Sequence, residues 1–254
     1  MNAADALATR LVDAWRSGVP LSAAEAHRLA PTSTDEAYVV QRLVGDALGW
    51  FPRGRARAWK IASRPPTAAP VPDTFIVDAG GSPASLSHAA AHTLVGIEVE
   101  LVFELATALP PGADAAQAAR AIGRIRAAIE IFDVRAQDWR TLSAPFLLAD
   151  HQMHGRLILG EGVDRPWSED DAHRSVRLAV NGQTVVERQG GHALGSPIEI
   201  LPWLSTHAGT HGDGLQAGDL VASGTWTGLY EAQIGDCIEA SFAGIGKVLL
   251  NVGA

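Results

Sequence analysis

Residues 94–105, Leu-Val-Gly-Ile-Glu-Val-Glu-Leu-Val-Phe-Glu-Leu, set the pattern around which the rest of the chain is read. Ile97, Val99, Leu101, Phe103 and Leu105 fall on one side of an alternating run, and Glu98, Glu100, Val102 and Glu104 on the other. A strand places residues i and i+2 on the same face, so Glu98 and Glu100 stand side by side. Upstream the period changes. Leu7, Leu11, Val12 and Trp15 recur at helical spacing over residues 3–17, and Gly18 ends the run. Ser22 opens a second helix that Pro31 closes, and Ser33-Thr-Asp-Glu36 has capping-box spacing before a third over residues 37–48.

From residue 53 the pattern is mostly of strands. A basic, partly apolar strand is expected over 53–64, then a loop over 65–72, which holds Pro65, Pro66, Pro70 and Pro72. Further strands are expected at 75–78, 94–105, 127–134, 156–159, 176–180, 184–187, 219–223, 237–242 and 246–252. Asn181-Gly182 predicts a hairpin, and helices are expected at 114–124 and 194–207, with Pro197 in the first turn of the latter. No regular alternation of strand and helix appears. The fold class is α+β, with a small helical lobe over 1–52 and a β-rich domain over 53–254.

Composition narrows the partners. With 254 residues, 47% of them hydrophobic, the chain suits one large domain with a small appendage. A net charge of -8 with scattered basic residues argues against nucleic acid and anionic membranes. A single cysteine, Cys237, excludes an internal disulfide and is expected in the core. Residues 1–15 have no basic n-region, and no apolar run approaches membrane-spanning length. A cytoplasmic protein is expected.

The candidate chemistry lies in carboxylates. Adjacent glutamates on one face of an apolar strand are either solvated on an edge or turned inward onto a cation. Glu130 favours the second reading, because Ala128, Ile129, Ile131 and Phe132 around it form a buried-looking run. A buried carboxylate needs a partner, and three of them leave about half an octahedral shell open, as Mg²⁺ prefers. Lys60, between Trp59 and Ile61, is either an exposed lysine or a proton donor and acceptor among apolar neighbours. Of the nine histidines, His151 and His154 follow Asp150 and are candidates to line the same cavity. His207 and His211 have i,i+4 spacing, but Gly209 and Gly212 argue against a helical zinc pair. The stretches Gly190–Gly195 and Gly212–Gly214 fit no nucleotide-binding spacing and read as turns.

Taken together, Trp59-Lys60-Ile61, Gly96-Ile-Glu-Val-Glu-Leu101, Ala128-Ile-Glu-Ile-Phe-Asp-Val-Arg135 with Asp138-Trp139, Ala149-Asp150 and Gly218–Gly228 resemble a known family. It is the hydratase/decarboxylase branch of the fumarylacetoacetate hydrolase superfamily, the branch of 2-keto-4-pentenoate hydratase. The resemblance runs from about residue 36 to 252. It implies the superfamily's β-rich fold and a homo-oligomer. It implies Mg²⁺ or Mn²⁺ on Glu98, Glu100 and Glu130, Lys60 as the acid/base, and Leu101 and Thr225 against a small-molecule substrate. The implied reaction adds water to a 2-hydroxy-2,4-dienoate, giving a 4-hydroxy-2-oxo acid. A 2-oxo-dioic acid decarboxylase, an acylpyruvate C–C hydrolase using His151 or His154, and a non-catalytic partner subunit are the alternatives.

Three departures stand out. Lys60-Ile-Ala-Ser-Arg-Pro-Pro replaces a glycine-containing turn of the family. The segment that carries a paired-acid loop is contracted to 71–78, leaving Asp73 and Asp78 as candidate acids, with Asp78 favoured as the catalytic partner of Lys60. His151, Met153 and His154 stand where the family has small polar residues.

Overall fold

The computed structural model describes residues 3–52, 54–211 and 214–254, apart from the side chain of His211. Arg53, Gly212 and Asp213, which belong to the expected first strand and a glycine-rich turn, lie outside these residues, as does the side chain of the His207/His211 pair's second member. The helical lobe forms as the sequence predicts: α1 (Ala3–Ser17), α2 (Ala23–Leu29) and α3 (Thr34–Leu48). Ser22 and Ser33 accept N–H bonds from Glu25 and Glu36, so each serine satisfies an otherwise orphaned helix donor. The Glu36 carboxylate reaches one residue beyond the cap, taking the Thr32 N–H at 2.8 Å and its hydroxyl at 2.9 Å.

The β-rich part contains β1 (Ala58–Ser63), β2 (Pro66–Val71), β3 (Ile76–Asp78), β4 (Pro83–Ser87), β5 (Val95–Leu105), α4 (Ala115–Ala121), β6 (Ile122–Phe132) and α5 (Ala144–Ala149). It continues through β7 (His154–Val163), β8 (Ser175–Val180), β9 (Gln183–Gln189), α6 (Leu201–His211), β10 (Leu220–Ala222), β11 (Leu229–Ala232), β12 (Cys237–Phe242) and β13 (Gly246–Gly253). One sheet has the order β2-β1-β10-β5-β6-β7-β3 with β11 also on β5; the other runs β4-β13-β12-β8-β9.

Several expectations change. The proline-rich segment expected to be a loop contains β2, which pairs with β1 as an edge strand; there Pro66 and Pro70 need supply no N–H to a further neighbour. The first strand is shorter than expected, starting at Ala58. The helix expected over 114–124 stops at Ala121, and its last residues begin β6, because Ile122 and Ile125 are drawn into the core beneath β5. Cys237 is exposed rather than buried: it begins β12, whose inward positions are Ile238, Ala240 and Phe242. β4, β11 and α5 had no clear signal in the pattern.

The odd-numbered side chains of β5 pack with Val176, Leu178, Ile238, Ala240, Val248 and Leu250 of the second sheet to make the main core. The sheets touch closely at Gly160, where a Cβ would lie 2.3 Å from the Lys247 carbonyl oxygen, so no larger residue fits. The even-numbered face of β5 carries the glutamates and, further along, a small apolar cluster of Val102, Ala128, Leu157, Leu159 and Ala222. Among the described residues, no helix is long and apolar enough to cross a membrane.

A buried charge network ties the helical lobe to this sheet. Just past the end of β6, Arg135 is fully buried; its Nε donates to Asp150 at 2.6 Å and its two terminal nitrogens donate to the carbonyls of Asp150 and His154. The guanidinium also lies 4.4 Å from the centre of the Trp15 ring of α1. Asp133 receives the backbone N–H groups of His92 and Thr93 and a 2.7 Å contact from His92 Nδ1. Burial would raise this carboxyl, but His92 and Arg135 outweigh it and hold its pKa at about 2. His151, packed edge-on against Trp50 of the lobe, is buried with neither ring nitrogen bonded, and burial lowers its pKa to about 3.

Two outcomes follow from this network. Arg135→Met should destabilise the fold by about 3–5 kcal/mol in urea unfolding, since it strands the buried Asp150 carboxylate. His151 takes a proton in the unfolded chain at an ordinary histidine pKa, but in the folded chain only near 3. The unfolded state therefore binds more protons across that window, and stability falls as pH falls. His151→Phe should flatten the stability curve between about pH 6 and about pH 4 by up to ~1.4 kcal/mol per pH unit relative to the parent. Parallel curves for the two chains would rule this out.

Candidate metal centre and active site

Strand register assembles the acidic cluster. β5 and β6 pair antiparallel with Glu98 directly opposite Glu130 and Glu100 opposite Ala128. Like charges facing each other across a ladder repel, so the arrangement calls for a cation. One is already there. β1 runs parallel to β10 with Lys60 beside Ala222; β10 ends at that residue, and the lysine side chain reaches past it. Lys60 Nζ lies 2.7 Å from Glu130 Oε1 and 3.7 Å from Glu98 Oε2. Its side chain is only 7% exposed, so the alternative of a solvated lysine is excluded.

The electrostatics are those of a site one cation short of neutrality. Burial alone would lower the Lys60 pKa, but Glu130, Glu98 and Glu100 together hold it above the usual lysine value. Burial raises Glu98 and raises Glu100 well above a normal carboxyl, with the neighbouring carboxylates adding to the rise. Glu130 goes the other way: Lys60 and His154 overcome its burial and keep it ionised. His154 Nδ1 sits 2.9 Å from Glu130 Oε1, and burial lowers the histidine's own pKa, so a neutral ring donating through Nδ1 fits the geometry.

The residues fit a hard divalent cation. Each of Glu98, Glu100 and Glu130 offers a carboxylate oxygen, and these oxygens lie within 4.8 Å of one another. Glu100 Oε1 and Glu130 Oε2 are buried with no hydrogen-bond partner, whereas Glu100 Oε2 is fixed by the Gly224 N–H at 2.8 Å. Buried acceptors left open are costly unless a ligand fills them, and all-oxygen donors suit Mg²⁺ or Mn²⁺.

Beside this cluster opens a cavity of about 630 Å³. Lys60, Glu98 and Glu100 line it, with Ile61, Phe132, Leu147, Leu148 and Met153 as apolar wall and Ser63, Arg64, Thr67, Gln152, His192 and Thr225 as polar points. Thr225 therefore stands at the cavity, its hydroxyl engaged with the Gly228 turn. Two expectations need correction. Leu101 does not reach the cavity: it has the parity of Ile97 and Val99, and is fully buried between the sheets. Asp78 is not brought to Lys60 either. It lies on β3, the edge strand at the other end of the sheet from β1 and β2, where its largely exposed carboxylate pairs with Arg126. That ion pair, rather than any contact with Lys60, lowers its pKa.

The cavity wall also contains Gln152 and His192, for which the sequence pattern carries no functional signal. Residues 151–153 all have positive φ, at 48°, 53° and 59°, a left-handed turn built without glycine. Each such residue costs roughly 1–2 kcal/mol. The turn is held by Arg135 donating to Asp150 and His154, and by the Asp133 N–H donating to Met153. It delivers Gln152 and Met153 to the wall and His154 to Glu130, while His151 itself turns away toward Trp50. Gln152 Nε2 donates to Thr67 at 2.6 Å, leaving its carbonyl oxygen unbonded. His192, in a stretch that read only as a turn, also lines the cavity.

Comparison with known proteins agrees with this geometry. Residues 53–252 match the model of the fumarylacetoacetate (FAA) hydrolase C-terminal family. The chain is 29% identical over 150 residues to 2-hydroxyhexa-2,4-dienoate hydratase of Comamonas testosteroni, a match covering 59% of this chain and 56% of that protein. The first relatives are thus matched over only about half their length. It is also 28% identical to 2-keto-4-pentenoate hydratase 2 of Dechloromonas aromatica (strain RCB), over 97% of this chain and 96% of that one. Among solved structures, 4-oxalocrotonate decarboxylase from Pseudomonas putida G7, complexed with magnesium and adipate, superposes with a TM-score of 0.83 at 21% identity, covering 97% of this chain and 96% of that chain. With its mixed sheets, its helical N-terminal lobe and a family match over most of its length, the chain belongs to the fumarylacetoacetate hydrolase family, in the hydratase/decarboxylase branch.

Proposed function

We propose that this chain is a divalent-metal-dependent hydratase that adds water to a 2-hydroxy-2,4-dienoate and releases a 4-hydroxy-2-oxo acid. The observation that carries the reading is the buried set of Glu98, Glu100, Glu130 and Lys60 at the side of an apolar-walled cavity. The hydratases among its relatives support the reaction class.

Glu98, Glu100 and Glu130 would hold Mg²⁺ or Mn²⁺ through their open oxygens. A cation bound there supplies Lewis acidity to the carboxylate and 2-oxygen end of the substrate. The chain's own residues do the rest. Lys60 stands against the same carboxylates and moves the proton: the 2-hydroxyl proton is lost, carbon 5 gains one, and the enol becomes an enone. Water then adds across that enone, its oxygen at carbon 4 and a proton at carbon 3, so the net change is one water. Ile61, Phe132, Leu147, Leu148 and Met153 cover the hydrocarbon part of the diene.

A second reading, decarboxylation of a 2-oxo-dioic acid, is favoured by one observation. Arg64 lines the cavity, exposed and, among the described residues, without an acidic partner. A free guanidinium there would take a second carboxylate.

Loss of the conjugated ultraviolet absorbance of 2-hydroxypenta-2,4-dienoate, with Mg²⁺ and with EDTA, tests the first reading. Lys60→Met should lower turnover by about 10²–10⁴-fold while Mn²⁺ still binds, whereas Glu98→Gln should weaken the metal itself. Full turnover in Lys60→Met would sink the assignment. For the second reading, carbon dioxide release from a 2-oxo-dioic acid should show a KM about tenfold higher in Arg64→Ala, equal to ~1.4 kcal/mol. No release by the parent chain would exclude it.

A further inference from the structure

We propose that His192 is a positioning residue for Glu100, acting through the one peptide group that joins Ser223 to Gly224; the role rests on the reading that the three glutamates hold a cation.

The two ends of that peptide are gripped from opposite sides. His192 Nε2 lies 2.7 Å from the Ser223 carbonyl oxygen and donates to it, while the Gly224 N–H donates to Glu100 Oε2 at 2.8 Å. The histidine is itself fixed. It is 7% exposed, and its Nδ1 accepts the Leu194 N–H at 3.3 Å, so both ring nitrogens are engaged and the Nε2–H tautomer is selected. A hydrogen bond to a peptide carbonyl polarises the N–H at the other end of the same group, so the two bonds strengthen each other.

The peptide needs this support because of where it lies. Ser223 N–H and Trp226 N–H still donate to Leu101 and Val99 of β5, but between them the chain turns out of the ladder. Gly224 has a φ of +95°, a conformation that glycine adopts freely and that imposes no orientation by itself. A side chain would not easily take its place, because residues with a Cβ rarely adopt that φ. With Oε2 held, the Glu100 carboxylate presents Oε1, which has no hydrogen-bond partner among the described residues. His192 thereby sets the direction of one of the three ligand oxygens without touching the cation.

The test measures Mn²⁺ binding to the full chain after EDTA dialysis, by the paramagnetic resonance signal of free Mn²⁺. His192→Phe keeps the bulk against Trp226 but removes the donor. It should raise the Mn²⁺ dissociation constant by roughly 10–100-fold, the scale of other outer-shell partners. His192→Gln, which retains an N–H donor, should recover most of that loss. Thermal unfolding in EDTA checks that both variants fold, and His192→Leu serves the same comparison if the phenylalanine variant does not. Mn²⁺ binding as tight in His192→Phe or His192→Leu as in the parent would overturn the role alone, as would equal loss in the glutamine variant. A parent chain that takes up no Mn²⁺, with Glu100→Gln indistinguishable from it, would overturn the metal reading and this role with it.

Discussion

Three carboxylates packed into the same few ångströms of a mostly apolar sheet are the constraint on which the rest of this structure depends. Glu98 and Glu130 face each other across the ladder and Glu100 is fully buried beside them, a cluster that water cannot solvate. Lys60 offsets part of that charge and His154 offers a hydrogen bond, yet two oxygens remain without a partner. A core of this kind lowers stability relative to an apolar one of the same shape. A cation bound there would fill the vacant acceptors and relieve the repulsion together.

Much of this was legible because strands have a period of two. The alternation around Glu98 and Glu100 fixed their common face, and the apolar run around Glu130 implied burial. What it did not contain was the register between the strands, which sets Glu130 against Glu98, or the short β10 that ends in time for Lys60 to cross over it. The same alternation argues against Leu101 as a substrate contact, because it shares the parity of Ile97 and Val99. There the family resemblance and the residue pattern disagreed, and the pattern was the better guide. Asp78 failed for another reason: strand order across a sheet is not a local property, and Arg126 lies three strands closer to it than any lysine on β1.

The residues that went unread share a physical character. Gln152 and His192 come from turns, where position depends on backbone conformation rather than on periodicity. A left-handed turn of three non-glycine residues has no sequence signature, since such residues rarely choose it unaided. Arg135 forces it by holding carbonyls on both sides, and that arginine is in turn seated on Trp15 of the helical lobe. The lobe thus bears on the site indirectly, by stabilising the strained turn that shapes one wall.

Rigidity is therefore distributed unevenly around the cavity. On the carboxylate side Glu130 is held by Lys60 and His154, Glu100 by the Gly224 N–H, and that peptide by His192. On the other side, residues 62–65 form the end of β1 and an exposed turn, with Arg64 free of any acidic partner among the described residues. Chemistry that depends on orientation tolerates little slack, whereas a surface turn can be exchanged at small cost in stability. Change in what the cavity accepts should then accumulate around Arg64 while the glutamate cluster stays as it is, and in this chain two of the three departures from the family pattern fall on that turn and on residues 151–154, leaving the three glutamates and Lys60 in place.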